Sequence, residues 1–323
     1  MYIVTGGAGF IGSAMVWKLN SLGLDNILVV DNLGTSEKWK NLVNHSYTAY
    51  MHRDDFLRAM QAGEISDPVE AIYHMGACSS TTERDADFLM TNNLEYTKAV
   101  CTFARQKEAR FINASSAATY GDGSKGFDDD WQTMHTLRPL NMYGYSKQLF
   151  DLWAKKNDLL GAIASLKFFN VYGPNEQHKG DMRSVVNKAF HQIHADGAMK
   201  LFKSNHPDYA DGGQMRDFVY VKDCVDIMWW LTENPKANGI FNVGTGKART
   251  WNDLLRAVFS AMGKPENISY VPMPEHLCGK YQNFTEARME RLHTAGYTAP
   301  MTSIEDGVAD YVRGYLMADD PHL

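Results

Sequence analysis

A tyrosine and a lysine four residues apart, Tyr143 and Lys147, are the side chains of this sequence whose types and spacing could do chemistry. Residues with this spacing lie one above the other on the same face of a helix. A free tyrosine hydroxyl has a pKa near ~10 and cannot act as a base at neutral pH. A nearby lysine ammonium favours the phenolate and lowers that pKa, and a second cation would lower it further. Taken alone, the pair also fits a packed tyrosine beside a solvated lysine.

The N-terminal residues could bind a ligand that carries such a second cation. Residues Tyr2 to Thr5 form an apolar run that predicts a buried strand, and the glycines Gly7, Gly9 and Gly12 follow it as G-x-G-x-x-G. The first glycine permits a tight turn, the second lets the backbone approach a pyrophosphate, and the third lets a helix pack on the strand. The pattern predicts a dinucleotide-binding loop, and an oxidised nicotinamide ring carries a positive charge.

The elements after the glycine loop agree with this interpretation. A helical pattern runs from Ser13 to about Leu22, and a second buried strand, Ile27 to Val30, ends at Asp31. An acidic residue about twenty positions after the loop is where an adenosine ribose would be bound. The N-terminus of the helix would face the phosphates with free N–H groups and the positive end of its dipole.

Strands and helices continue to alternate along the chain, which predicts an α/β fold with a doubly wound parallel Rossmann sheet. Further strands are expected at 47–51, 71–74, 110–116, 162–168 and 239–244. The spacing of Ser80 and Glu83 predicts a capping box for a helix that runs to about Lys107.

The regular pattern loosens after Asn170, where prolines, glycines and a polar loop at 205–213 appear. We therefore expect a Rossmann domain at 1–169, to which 217–246 returns, and a smaller substrate-binding domain mainly at 170–323. The chain is therefore expected to pass between the two domains more than once.

The strand at 110–116 ends in a serine-rich run that includes Ser116. Ligands of open parallel sheets lie outside the carboxyl ends of the strands, so Ser116 should point into the same crevice as the dinucleotide. Its hydroxyl could donate to a substrate oxygen while Tyr143 removes the proton from that oxygen. A serine-rich strand end that bonds its own backbone is the alternative. The presence of Tyr143, Lys147 and the glycine loop together favours the catalytic interpretation.

Composition excludes several classes of function. The net charge of −6 and the lack of a basic stripe argue against nucleic acid as a partner, and no apolar run approaches a membrane span. The N-terminal strand enters its glycine loop at once, so no signal peptide is expected. The cysteines Cys78, Cys101, Cys224 and Cys278 lack metal-site spacing and suit a reducing cytoplasm. No metal is expected.

Several runs resemble the extended short-chain dehydrogenase/reductase family of nucleotide-sugar enzymes, namely TGGAGFIG, SSAATYG, the tyrosine–lysine pair and RDFVYVKD. Within it, the chain is most similar to the ADP-L-glycero-D-manno-heptose 6-epimerases. The runs that carry this similarity are GACSSTTE (76–83), SSAATYG (115–121), NMYGYSK (141–147), FFNVYGP (168–174), HKG (178–180), RDFVYV (216–221) and GKYQNFT (279–285). The resemblance covers the chain from Met1 to about Tyr315.

The resemblance implies an NADP-dependent inversion at C6 of an ADP-heptose, in the supply of the lipopolysaccharide inner core. It also implies a cytoplasmic homo-oligomer, a pentamer in the best-known relatives, although NAD remains possible as cofactor. Removing hydride from C6 gives a ketone, and its return to the opposite face inverts the centre. By this resemblance Tyr143 is one acid/base and Lys179 the other, while Lys147 serves both the cofactor and the tyrosine and Ser116 binds substrate.

The resemblance also implies two sets of binding residues. Together with the loop glycines and Asp31, the cofactor set is Phe10, Ile11, Asn32, Lys38, Arg53, Met75, Gly76, Ala77, Cys78, Ser79, Asn92, Lys147 and Val171. The substrate set is Ser116, Asn170, Lys179, Asp181, Lys188, Phe202, Lys203, Ser204, Asn205, Arg216 and Tyr281.

The sequence departs from the usual pattern of these relatives at a few positions. Arg53 stands where a lysine is usual, which keeps the positive charge. Met75 replaces an acidic residue, Lys188 a histidine and Asp181 a serine, and the loop at 207–214 is longer. At Asp181 and Lys188 the side chains offered to the sugar therefore differ from those usual in these relatives.

Other functions fit part of the same pattern. A UDP-hexose 4-epimerase would use the glycine loop, Ser116, Tyr143 and Lys147 equally well. A sugar dehydratase is disfavoured, because Ala117 and Ala118 stand where such enzymes have an Asp-Glu pair. A non-catalytic dinucleotide sensor would have no use for a tuned phenol.

Overall fold

The computed structural model describes residues 1–274 and 282–323. The strands are β1 (Tyr2–Thr5), β2 (Ile27–Asp31), β3 (Ala49–His52), β4 (Ala71–His74), β5 (Arg110–Ser116), β6 (Ala164–Phe168), β7 (Asn170–Tyr172), β8 (Met199–Phe202), β9 (Met215–Arg216), β10 (Phe218–Tyr220), β11 (Gly239–Val243), β12 (Arg249–Thr250) and β13 (Ile268–Val271). The helices are α1 (Phe10–Ser21), α2 (Arg53–Ala62), α3 (Ala86–Leu89), α4 (Tyr96–Gln106), α5 (Met142–Lys156), α6 (Val185–Asp196), α7 (Val221–Glu233), α8 (Trp251–Ala261), α9 (Glu290–Thr294) and α10 (Ile304–Tyr311).

A seven-stranded sheet in the order β11-β6-β5-β4-β1-β2-β3 forms the centre of the molecule. Every neighbouring pair in it is parallel. Its central strands are buried along their whole length because helices cover both faces, as in other all-parallel sheets. The predicted α/β class with a doubly wound parallel sheet is confirmed. The strand order reverses beside β1, and ligands bind at such switch points.

The predicted strands agree with the structure to within two residues at their ends. The predicted helix start at the Ser80–Glu83 capping box was wrong. The helix begins at Ala86, and its N-cap is Asp85, whose carboxylate accepts the N–H of Phe88 at 2.9 Å. Spacing alone does not distinguish a cap from a loop in which polar side chains bond each other and the neighbouring backbone.

Shorter strands and helices from the second half of the chain lie beside this sheet. β8 pairs with β13, β9 with β12, and β7 with β10. The helix α8 begins at a capping box between Thr250 and Asp253 and packs on α6 and α10. β11, from the same half, is an edge strand of the main sheet. The division into two domains at 169/170 stays a prediction.

Within the described ranges, no helix combines the length and apolar character needed to cross a bilayer.

Candidate active site

Tyr143 and Lys147 lie on successive turns at the start of α5. The side chain of Asn141 caps this helix by accepting the N–H of Gly144 at 2.8 Å. A Cβ on Gly144 would lie 2.7 Å from the carbonyl oxygen of Ala118, so α5 approaches the chain after β5 more closely than any other residue would allow. This close approach places Tyr143 beside Ser116.

Both side chains line a cleft of about 720 Å³ at the carboxyl ends of the central strands, together with Ser116. The hydroxyl oxygen of Ser116 accepts the N–H of Ala118 at 3.1 Å. The neighbouring Ser115 also lines the cleft, and its hydroxyl donates to Asp151 of α5 at 2.7 Å. Ser116 is the serine of this pair that forms a hydrogen bond with Tyr143.

Burial dominates the electrostatics of Tyr143 and Lys147. It raises the pKa of Tyr143, and a hydrogen bond with Ser116 opposes that rise. Burial also lowers the pKa of Lys147 to about 8, against the attraction of Asp151 one turn further along α5. The expectation that Lys147 would lower the pKa of Tyr143 was therefore wrong for the protein by itself. A cation close to the phenol would lower the pKa of Tyr143 and so oppose the effect of burial.

The glycine loop fits a dinucleotide. Gly9 caps α1 without a side-chain hydrogen bond, so the first N–H groups of the helix are available to a phosphate. A Cβ on Gly12 would lie 2.0 Å from the carbonyl oxygen of Gly6, which only glycine permits. The positive φ of 65° belongs to Gly6. Gly7 instead packs under the loop, where a Cβ would lie 2.8 Å from the carbonyl oxygen of Val4.

A small pocket of about 160 Å³ adjoins the cleft at the end of β2. Asp31 lies there and accepts the N–H of Ala8 at 2.8 Å and the ammonium of Lys38 at 2.7 Å. Arg53 also lines this pocket and donates to the side-chain oxygen of Asn92. The carboxylate of Asp31 is thus paired with Lys38, while Arg53, which pairs with Asp54, brings a second cationic side chain to the same pocket.

Lys179 reaches the same cleft from the turn after β7. Its ammonium lies 5.3 Å from the centre of the Phe10 ring, beside the first turn of α1. Burial lowers the pKa of Lys179, and the carboxylate of Glu176 opposes this shift. His178 lines the cleft beside it. Burial, followed by the positive charges of Lys179 and Lys38, lowers the pKa of His178 to about 4, so this imidazole is neutral at neutral pH.

The family model of the NAD dependent epimerase/dehydratase family matches residues 2–244. The chain belongs to this family. A nicotinamide dinucleotide is the cofactor that the family's description names, and the glycine loop provides the donor groups that such a cofactor requires.

Relatives in the epimerase/dehydratase family match along the whole chain. The ADP-L-glycero-D-manno-heptose-6-epimerase of Nitratidesulfovibrio vulgaris strain Hildenborough is 67% identical over 323 residues, which is 100% of both chains. The protein of that name from Fusobacterium nucleatum is 49% identical, again over 100% of both chains.

Solved structures of epimerases have a fold similar to that of this chain. The Helicobacter pylori ADP-L-glycero-D-manno-heptose-6-epimerase has a TM-score of 0.82 at 27% identity and covers 97% of this chain and 95% of its own. The Thermotoga maritima UDP-glucose 4-epimerase with UDP-glucose has a TM-score of 0.78 at 26% identity, over 97% of this chain and 98% of its own.

Most of the residues assigned to the cofactor from the sequence come together in this epimerase/dehydratase cleft. Those that line it are Gly9, Phe10, Ile11, Gly12, Asp31, Lys38, Met75, Gly76, Ala77, Cys78, Ser79, Lys147 and Val171. Asn32, Arg53 and Asn92 line the adjoining small pocket. Gly7 lines neither.

The substrate residues are more scattered. Ser116, Asn170 and Lys179 line the cleft. Asp181, Lys188, Phe202, Lys203, Ser204, Asn205 and Arg216 are not part of its lining, and Tyr281 lies outside the described residues. The Lys188 ammonium donates to the carbonyl oxygen of Asp181 at 2.5 Å, and the Arg216 guanidinium lies 5.6 Å from the Trp251 ring, which does line the cleft. The roles of these outer residues stay predictions.

Sequence reasoning missed some side chains of the site. His178 was noticed only as part of the HKG run, and Trp251 and Glu176 were not singled out. Glu176 is buried, accepts both the N–H and the hydroxyl of Ser184, and lies next to the Lys179 turn. Its acidic side chain between Pro174 and the basic pair of His178 and Lys179 was the available signal.

Proposed function

We propose that this chain converts ADP-D-glycero-β-D-manno-heptose into ADP-L-glycero-β-D-manno-heptose through a transient ketone at C6. The observation that carries this proposal is that Tyr143 and Lys179, two groups able to move a proton, enter one cleft from different elements beside a dinucleotide loop. An oxidation–reduction that inverts a centre needs an acid/base group on each face, unless the substrate moves far between the steps. The relatives that match the chain end to end carry the corresponding name.

In the proposed reaction, Tyr143 and Lys179 exchange the proton of the C6 hydroxyl, each on one face of the carbon. Ser116 donates a hydrogen bond to the same oxygen and holds it beside Tyr143. Lys147 keeps a positive charge under the phenol and stabilises the phenolate when the proton leaves. When bound, the nicotinamide supplies the hydride acceptor and donor. Walls formed by Phe168, Phe169 and Trp251 reduce access of water to the ketone.

We infer NADP rather than NAD as the cofactor. A free carboxylate at Asp31 would bind the 2′-hydroxyl of NAD and repel a 2′-phosphate. Here that carboxylate is paired with Lys38 at 2.7 Å, and Arg53 adds a second positive charge in the same pocket. Arginine and lysine are suitable partners for a phosphate. Denaturing the purified protein and identifying the released dinucleotide tests this, and recovery of NAD alone would contradict it.

The activity itself is tested by incubating the purified protein with ADP-D-glycero-β-D-manno-heptose and following the C6 centre by NMR. We expect conversion to an equilibrium mixture of the two epimers without added dinucleotide. UDP-glucose is the matched substrate for the alternative, a hexose 4-epimerase. Formation of UDP-galactose with no reaction of the heptose would replace the proposal by the hexose 4-epimerase. If neither substrate reacts, the result would support a non-catalytic dinucleotide sensor.

We further propose that the protein is a cytoplasmic homo-oligomer, in line with the pentamer expected from the resemblance, and that it supplies precursors of the lipopolysaccharide inner core. We also propose that residues 1–169 bind the dinucleotide and 170–323 mainly the sugar. Native mass spectrometry gives the subunit number directly. A monomer at micromolar concentration would contradict the oligomer.

A further inference from the structure

A buried asparagine, Asn175, comes shortly before Lys179 in the chain and bonds two distant segments through its side chain. Its side chain is 0% exposed and its φ of 74° lies in the left-handed region, which non-glycine residues rarely adopt. The side-chain amide donates to the hydroxyl of Ser13 at 2.9 Å. Its carbonyl oxygen Oδ1 accepts the backbone N–H of Leu323 at 2.9 Å. A buried polar group with both ends satisfied specifies one geometry.

The contact with Ser13 leads directly to the glycine loop. The Ser13 hydroxyl donates to the carbonyl oxygen of Gly9, the N-cap of α1, at 2.7 Å. A second route runs through Asn41, whose amide donates to the backbone oxygens of Ala8 at 2.9 Å and of Asn175 at 3.0 Å. The Lys179 turn is therefore linked through Ser13 and Asn41 to two consecutive residues of the phosphate-binding loop, Gly9 and Ala8.

The same amide of Asn41 lies 3.1 Å from Nδ1 of His178, the residue before Lys179. This amide nitrogen carries two hydrogens and already donates to Ala8 and Asn175, so its third contact packs the imidazole of His178 against Asn41. Burial lowers the pKa of His178 to about 4, so the imidazole beside Asn41 is neutral at neutral pH. The turn is thus held at Asn175 and again at His178.

Residues 320–323, which we call the strap, close this network from outside. Leu323 is only 8% exposed, and its N–H bonds Asn175. The carbonyl oxygen of Pro321 accepts from the side chain of Gln177 at 3.1 Å. Asn44 donates to the carboxylate of Asp320 at 2.8 Å. The strap therefore joins the Lys179 turn to the segment that follows β2.

We propose that Asn175 and the strap are positioning elements that hold the Lys179 ammonium at a fixed place over the dinucleotide loop. This inference rests on the proposed role of Lys179 as the second acid/base group. A lysine has a long, flexible side chain, and a shift of about 1 Å in a reacting group can cost about 10²-fold in rate. Neither element touches the reacting atoms.

The variant Asn175→Gly tests the proposal, because glycine keeps the positive φ at no steric cost while it removes both side-chain bonds. Asn20→Ala is the matched control. Asn20 lies on the last turn of α1, and its side chain also makes hydrogen bonds that tie two segments together. We expect kcat of Asn175→Gly to fall about 10-fold or more, with the KM for substrate and the bound dinucleotide little changed. Asn20→Ala should keep its kcat.

A second measurement does not depend on activity. The rate at which acetic anhydride modifies Lys179, followed by mass spectrometry of the peptide, reports how freely its amine meets solvent. We expect this rate to rise about 10-fold in Asn175→Gly, because a loosened turn opens the partly buried amine to the reagent. Modification of Lys200, an exposed residue on β8, should be unchanged.

A variant lacking residues 320–323 should reproduce both effects, and combining it with Asn175→Gly should add little, since both changes disrupt one network. Unchanged modification of Lys179 and unchanged kcat in Asn175→Gly would overturn the proposal while the epimerase function stands. Faster modification of Lys179 with unchanged kcat would also overturn it, because Lys179 would then not be the second acid/base group.

Discussion

At the scale of single residues, burial moves the two candidate proton-transfer groups in opposite directions. It raises the pKa of Tyr143 and lowers the pKa of Lys179. Tyr143 is therefore favoured as the protonated acid, whereas Lys179 reaches its neutral, basic form at lower pH than a free lysine does. Two groups whose environments push their pKa values apart are suited to act as an acid and base pair.

Replacing Tyr143 by phenylalanine removes only the hydroxyl that moves the proton. We expect Tyr143→Phe to fold normally, to keep its dinucleotide and to lose about 10²–10⁴ in kcat, the usual cost of a positioned acid or base. Tyr145→Phe is the matched control, because Tyr145 lies on the same helix and is 44% exposed. Steady-state turnover of the ADP-heptose measures both. Activity of Tyr143→Phe within threefold of the parent would contradict the assignment.

Lys179→Ala should lose epimerisation in both directions by a similar factor, about 10²–10⁴. The dinucleotide should still be reduced by a simplified alcohol that needs only Tyr143, and absorbance at the nicotinamide band measures that half-reaction. Lys200→Ala removes an exposed lysine from β8 and serves as control. If Lys179 is only a surface cation, its removal should change neither rate nor stability by much.

At the scale of elements, the close packing of α5 on the chain after β5 sets the distance between Tyr143 and Ser116. We expect Gly144→Ala to lower kcat at least about 10-fold, because its Cβ would lie 2.7 Å from the carbonyl oxygen of Ala118 and move α5 away. Gly161→Ala places the same methyl group in open space and should leave turnover unchanged. Equal kcat values of the two variants would contradict the prediction that the packing of α5 on this segment controls turnover.

His74 joins β4 to its neighbours, since its ring nitrogens bond the hydroxyls of Thr5 at 2.7 Å and Thr97 at 2.9 Å. Burial, with a smaller effect of Lys147, lowers the pKa of His74 to about 3. Below pH 6.5 the unfolded chain therefore binds a proton that the folded protein does not, and stability falls as the pH falls. Between pH 7.5 and 5.5 this costs about 1.4 kcal/mol.

Urea unfolding of the wild type and of His74→Gln at pH 7.5 and 5.5 measures that difference. We expect His74→Gln to be less stable than the wild type at pH 7.5, but to lose about 1.4 kcal/mol less on acidification. An identical loss in both proteins would show that His74 titrates normally in the fold.

The sheet and the dinucleotide loop were predictable because local patterns determine them. Apolar runs such as Ala71 to His74 form buried strands wherever a parallel sheet needs them, and the loop glycines have a spacing with a geometric reason. The contacts of Asn175 with Ser13 and Leu323 join residues far apart in sequence, and no periodicity of the sequence predicts them. The pKa of Tyr143 was misjudged for the same reason, because the amount of protein around a side chain depends on the whole fold.

At the scale of the whole molecule, the two halves of the chain complete one cleft. The sheet and the helices on it contribute the glycine loop, Ser116 and Tyr143, and the later segments contribute Lys179 and Trp251. A ketone formed between these groups can be reduced to product without leaving the cleft. A ketone that is released would give a reduced dinucleotide and an unproductive enzyme, so enclosure serves the inversion itself.

The last prediction concerns the hydrogen at the inverted carbon. Deprotonation can invert a sugar centre only where a neighbouring carbonyl acidifies the C–H, and C6 of the heptose has no such neighbour. Oxidation and reduction in one cleft should return the same hydrogen to C6, so product formed in heavy water should carry no deuterium there. NMR of the isolated product measures this, and exchange at the carbons beside C6 is compatible with a transient ketone. Stoichiometric deuterium at C6 would rule out the internal transfer and leave the dinucleotide a structural role.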